Sequence, residues 1–353
     1  MKTVALVESP AQLLNVVEWA HHAGADGPAR SSPTPAAVSV LILAPRSETS
    51  RWQLRCMARL ARESGLTVTW HEPRLGGAAI ARTVRSLAED LAGVDRLVLG
   101  DPFSGVMQVV ASVYRTSEVV IVDDGTATLE FARQWSTGEH LRRWHQVATE
   151  EHRRHITTFA RDQIADSLRR RWRPGSGCRL TVFSCLPVEV AHARVLPNSY
   201  AWLRAQHPRP PVKAAADLVG TSLVETGVVT QDEYLAAVAS LTAQHGVDRY
   251  FAHRKEARDK LARIADLGLR IEVPELPLEV AIREGAVGRS VISFPSTVVH
   301  TLPVVLADTA AELVVCDIDP TWFTPGAGAN SSRFLGSVAR SARQQHGLAS
   351  TAC

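Results

Sequence analysis

Short aliphatic runs alternate with amphipathic segments along most of the chain, and no other feature limits its fold as strongly. Residues 3–7, 37–45 (AVSVLILAP), 67–70, 94–102 and 118–125 read as strands. Between them, residues 11–22, 49–65, 79–93 and 105–114 carry helical spacing. In the first of these, Leu13, Leu14, Val17 and Ala20 share one side. A strand apolar at every position needs cover on both faces, and helices inserted between strands supply it. The pattern predicts a parallel, doubly wound sheet.

From Thr128 to Arg173 the rhythm degrades into a polar, arginine-rich segment. Residues 178–187 read as one more strand. The proline-rich stretch 205–217 (AQHPRPPVKAAAD) is the linker candidate. Beyond it the rhythm restarts, with strands at 217–220, 247–253, 269–274, 289–296 and 311–319. Helices are expected at 230–246, 255–268, 276–285 and 331–345. Thr230 is the expected N-cap of the first, Glu233 its capping-box partner and Gly246 its terminator. Two α/β domains follow, 1–210 and 211–353. Ligands of such sheets bind beyond the carboxyl ends of the strands, and the cleft between two such domains is the default site.

Composition narrows the function classes. Apolar residues at 45% and charged residues at 21% describe an ordinary globular chain, and a net charge of +3 does not by itself imply nucleic acid. Cys56, Cys178, Cys185, Cys316 and Cys353 form no C-x-x-C pair, so neither a disulfide framework nor a zinc site is expected and a reducing compartment fits. The opening MKTVALVESP is too short an apolar run for a signal peptide, and no apolar stretch is long enough to span a bilayer. The expectation is a soluble cytoplasmic protein. The arginines at 133, 142, 143, 153, 154, 161, 169, 170, 171 and 173 have two readings: a solvated helical face, or a patch for anionic lipid or acidic glycan. Trp135, Trp144 and Trp172 among them suit a membrane interface, sugar stacking or plain packing.

Three motifs fall on the expected ligand edge. In VVIVDDG a buried strand ends in Asp123, Asp124 and Gly125. Two adjacent acids are strand terminators and helix caps; in a cleft, one would have its pKa pushed upward and become a general base. YFAHRKE places His253 at a strand end, as a core histidine or as a donor to a phosphate or leaving group, with Arg254 and Lys255 adding positive charge. SVISFPSTVV offers Ser296 and Thr297 at a helix start, as caps or as a phosphate cradle. Glu279, in ELPLEV, suits a helix first turn or the ribose hydroxyls of a nucleotide. There is no G-x-G-x-x-G, Walker loop or H-E-x-x-H, and no metal-ligand spacing.

In their order, DDG at 123–125, AHRKE at 252–256 and ST at 296–297 resemble the motifs of bacterial sialyltransferases and polysialyltransferases. The segments 9–20, 219–235 and 274–282 resemble the lipooligosaccharide sialyltransferase branch of that group, a family 52-like glycosyltransferase. The resemblance implies a GT-B fold, with two Rossmann-like domains facing a central cleft, acceptor side first and nucleotide side second. It implies an inverting, metal-independent transfer of sialic acid or a related nonulosonic acid from a CMP-activated donor to a glycan hydroxyl, with no cofactor. Asp124 would be the general base, tuned by Asp123, with Gly125 giving a tight turn. His253 would donate to the leaving phosphate. Ser296 and Thr297 would hold that phosphate and Glu279 the ribose, with Arg254 and Gly220 also on the nucleotide side. Ser9, Pro10 and Gln12 would lie on the substrate side. The family's histidine-proline pair is His253-Arg254 here. Two alternatives stand beside this reading: a transferase or epimerase using a UDP-sugar, and a non-catalytic glycan-binding or assembly protein. Expected partners are a nucleotide-sugar donor and a glycan acceptor, with peripheral contact at the inner membrane face under the lipid reading of the arginines, and no nucleic acid.

Overall fold

The computed structural model describes residues 1–22, 37–72, 79–141 and 155–352, with backbone alone at 155–161 and 328–330. They form two compact units, Met1–Trp202 and Leu203–Cys353. The stretch 205–217 lies at the head of the second unit and contains a short strand, so its prolines do not mark a free linker.

The first unit carries strands β1 (Thr3–Val7), β2 (Val38–Leu43), β3 (Thr67–His71), β4 (Arg96–Leu99), β5 (Glu118–Val122), β6 (Arg179–Ser184) and β7 (Arg194–Pro197). They form one sheet in the order β3-β2-β1-β4-β5-β6-β7, parallel throughout. β1 and β5 are buried at every position, as their unbroken aliphatic runs require.

In the second unit β8 (Val212–Lys213) and β12 (Val287–Gly288) pair with each other. The main sheet is built from β9 (Ala216–Val219), β10 (Val247–Phe251), β11 (Arg270–Glu272), β13 (Ser290–Ser293), β14 (Glu312–Asp317) and β15 (Ala349–Ala352). Its order is β11-β10-β9-β13-β14-β15, again all parallel. In both sheets the chain winds outward from the first strand, then returns to that strand's other side. The reversal leaves a switch point between β1 and β4, and another between β9 and β13, where loops diverge and a ligand can enter. The two Rossmann-like α/β sheets expected from the sequence are thus present.

Several helix boundaries differ from the expectation. Pro10 opens the helix Pro10–His21, with Ser9 as N-cap, one residue before the expected start. The expected helix 79–93 is two helices, Ala79–Ser86 and Ala88–Leu91. The expected helix 255–268 begins only at Arg258, because the preceding residues form a turn.

The arginine-rich segment is partly structural. Arg169 donates to the carbonyls of Gln134 (2.8 Å), Trp135 (3.2 Å) and Glu139, and so closes the carboxyl end of the helix Thr126–Thr137. Arg133 is held by Glu130 and Glu139, and Arg171 by the Tyr114 carbonyl. Trp135 and Trp172 are buried against each other, 5.6 Å between ring centroids. Packing, not a membrane interface, accounts for both. Trp144, Arg142, Arg143, Arg153 and Arg154 lie outside the described residues, as does the side chain of Arg161. No helix among the described residues is long and apolar enough to cross a membrane. Cys56, Cys178 and Cys185 are free thiols, but Cys316 is disulfide-bonded. The sequence expectation is that no disulfide framework forms, and this one bond departs from it.

Candidate functional site

Each unit presents one ligand edge. On the first, β5 ends at Val122 and the two acids follow. Successive residues of an extended chain project to opposite sides, so the pair cannot share one environment. Asp123 turns toward β6. Its carboxylate accepts from the Ser184 hydroxyl at 2.5 Å and from the Cys185 amide at 2.7 Å, and the residue is buried. Asn15 donates to the Asp123 carbonyl (3.0 Å) and accepts in turn from the Asn198 amide (2.9 Å). Both carboxylate oxygens of Asp123 are therefore committed to the interior. Asp124 is half-buried, with its amide donating to Thr128 Oγ1 at 3.2 Å. Gly125, at φ 64° and ψ −140°, adopts a backbone closed to other residues and starts the helix Thr126–Thr137.

The expectation from sequence is that one of two adjacent acids has its pKa pushed upward. The raised pKa belongs to Asp123 itself, and its cause is burial, which lifts it from 3.8 to about 6 against the pull of Ser184 and Cys185. The folded state holds this proton more tightly than the unfolded chain. The resulting stability is fully present below pH 3.8 and is lost as pH rises through about 6. Asp123→Asn is expected to flatten the pH dependence of the melting temperature across that window. An unchanged slope would assign the dependence to another group.

At the switch point of the first sheet, Ser9 Oγ accepts from the Gln12 amide (3.2 Å) and Gln12 Oε1 from the Glu8 amide (2.7 Å). A Cβ on Gly100 would collide with the Gln12 side chain. Ser9, Pro10 and Gln12, expected to meet substrate, thus shape the loop after β1. Glu8, which accepts from Ser104 Oγ at 2.7 Å, is an acid at this switch point that the sequence reading missed, as is buried Asp101 just beyond β4.

On the second unit, β10, β9 and β13 are neighbours and their carboxyl ends carry His253, Thr221 and Ser296. The register pairs Val219 with Ser293, two residues before Thr221 and three before Ser296. The Ser296 hydroxyl is buried with no hydrogen-bond partner, and the Thr221 hydroxyl is buried beside the Tyr234 hydroxyl. Thr297 stands at the N-cap of the helix Val298–Val305, but its side chain makes no capping bond. The capping explanation for this Ser-Thr pair therefore fails. Thr221 was not singled out from sequence; its only signal is its place just beyond a strand end, after a glycine.

His253 is half-buried. Its Nδ1 accepts from the Lys255 amide at 3.2 Å, which leaves the ring proton on Nε2. Burial, then the charges of Arg254, Lys255 and Lys260, lower its pKa to about 4. His253 is thus neutral near neutrality: a hydrogen-bond donor, not the titrating acid its residue type suggested. Glu279 also departs from expectation. It is buried, its Oε1 accepts from Thr301 Oγ1 at 2.7 Å, and burial raises its pKa, so it does not offer a free bidentate carboxylate to a ribose. Gly220 has a packing reason, since a Cβ there would strike Glu256 and Tyr250. Arg254 is half-buried on the His253 turn.

Among the described residues no group of three or more His, Cys, Asp or Glu could hold a metal ion. A cavity of about 630 Å³ opens at the opposite edge of the first sheet, where Glu118, Arg179 and Arg194 begin their strands, away from Asp124. No family model matches the chain, and no curated protein matches it. Among solved structures, HepE of Anabaena in complex with UDP is similar at 12% identity over 98% of this chain and 91% of that one, with a TM-score of 0.42.

Proposed function

We propose that the chain is a glycosyltransferase that moves a sugar from a nucleotide-activated donor to a glycan hydroxyl. The observation that carries this reading is the buried, unpartnered hydroxyl Ser296 Oγ, with the Thr221 hydroxyl beyond the neighbouring strand end, at the switch point of the second sheet. Such an unpartnered hydroxyl costs about 1–3 kcal/mol until it is paired. A phosphate offers acceptor oxygens to both, and the start of the helix Val298–Val305 adds amides and a positive dipole end.

In this reading the Asp124 carboxylate takes the acceptor's proton as the acceptor oxygen bonds to the donor's anomeric carbon. The bond from that carbon to the phosphate oxygen breaks, and its electron pair leaves with the phosphate. Ser296, Thr221, Thr297 and the Nε2–H of His253 donate to the departing anion. Since His253 is neutral, the phosphate charge is met by hydrogen bonds and not by a transferred proton. Attack from the face opposite the phosphate inverts the anomeric centre. The finer proposal is a CMP-activated nonulosonic acid such as CMP-sialic acid, handled without metal; its support is the order of DDG, AHRKE and ST along the chain.

A thermal-shift titration with CMP, UDP and GDP, with and without EDTA, tests both levels. Saturation at about a hundredfold excess over the dissociation constant stabilises the folded state by about 2.7 kcal/mol. A CMP-selective, EDTA-insensitive shift is expected. A UDP-selective shift keeps the transferase and replaces the donor. No shift with any nucleotide overturns the reading in favour of a glycan-binding protein.

A further inference from the structure

We propose that Glu256 is the positioning residue for His253, setting the turn that fixes the imidazole and leaves its Nε2–H as the ring's donor. The turn 253–256 is closed from both ends: the Glu256 amide donates to the His253 carbonyl at 2.9 Å, and the His253 amide donates to Glu256 Oε2 at 2.6 Å. Inside it, the Lys255 amide donates to His253 Nδ1 at 3.2 Å and so selects the tautomer.

The carboxylate that closes this turn is itself immobilised. Its side chain has no exposed surface, and Lys260 Nζ, equally buried, lies 2.7 Å from Oε1. The Tyr250 hydroxyl donates to the same oxygen at 2.6 Å and is bonded to the Tyr234 hydroxyl at 2.8 Å. Lys260 also donates to the Thr221 carbonyl at 3.0 Å, tying the group to the end of β9. Gly220 admits Glu256 and Tyr250 because it lacks a Cβ. A proline after the histidine would stiffen such a turn through its ring. Here Arg254 follows, and a buried carboxylate does that work from three residues downstream. A buried ion pair with all these partners is a device for holding one geometry.

The functional meaning rests on the proposed role of His253 toward phosphate; the positioning itself is read in the free protein. Nitrogen-15 NMR of the His253 ring at about pH 7 is expected to give one tautomer, with Nδ1 unprotonated and Nε2 protonated. Glu256→Gln keeps an oxygen acceptor for the His253 amide and should retain that tautomer. Glu256→Ala removes the acceptor; both tautomers should appear and solvent exchange of the His253 amide should rise roughly tenfold or more. Should the alanine variant fail to fold, Glu256→Asp keeps the charge opposite Lys260 but is one methylene short of the His253 amide, and should lose the single tautomer too. A single wild-type tautomer persisting in the folded alanine variant, or in the aspartate variant where alanine does not fold, overturns the proposal. A protein that binds none of CMP, UDP or GDP while keeping the expected ring signals overturns the proposed function and leaves the positioning standing.

Discussion

Asp124→Asn is expected to lower turnover by about two to four orders of magnitude, the usual worth of a positioned general base, while leaving the nucleotide-induced melting shift unchanged. Asp123 cannot substitute for it, since both of its carboxylate oxygens are taken by Ser184 and Cys185. Asp124 is placed at the edge by the end of β5, by the Thr128 hydroxyl on its amide and by the turn at Gly125. The residues proposed to meet nucleotide all belong to the second unit, so transfer and binding should separate in this variant. Equal loss of both would move Asp124 to the donor side. Unchanged turnover, measured with the donor that the melting shift selects, would remove it from the chemistry.

Lys260→Met is expected to destabilise the second unit by about 3–5 kcal/mol, the cost of breaking a buried pair by removing one partner. The ammonium is fully buried, 2.7 Å from Glu256 and 3.2 Å from Glu225, and 4.3 Å from the Tyr234 ring centroid. Without it the Glu256 carboxylate loses its counter-charge in an interior that already raises its pKa. Pairing the change with Glu256→Gln removes that charge and should recover part of the loss. Urea unfolding of the single and double variants checks this. A loss below about 1 kcal/mol in the single variant would place the pair among those that contribute little.

The sheets were legible because their central strands are mostly apolar runs between amphipathic segments, and a rhythm of that kind has few folds open to it. The short strands were not. β7 reads RVLP and β15 reads ASTA, exposed or half-buried along their length, so no apolar run announces them. The site was legible as positions more than as roles. Asp124, His253 and Ser296 do fall at strand ends, because a sheet's carboxyl edge follows directly from strand boundaries. What each side chain does depends on the partners the fold brings to it, most of them remote in sequence and, for His253, on the geometry of its own turn. Asp123 is explained by Ser184, His253 by Lys255 and Glu256, and Glu279 by Thr301, a partner twenty-two residues away. Charge composition misled for the same reason: Arg169 is spent on the end of a helix, not offered to a ligand.

The interior placement of Asp123 bears on how relatives of this chain can be found. Asp123 is bonded by Asn15 and Ser184, and Asn15 in turn by Asn198; the three stand far apart along the sequence and belong to separate elements. Replacing one alone strands the others' polar groups in a dry interior, so the four are expected to be inherited together. A search keyed to that dispersed quartet should reach homologues in which the DDG tripeptide has drifted. It should also reject proteins that carry the tripeptide by chance.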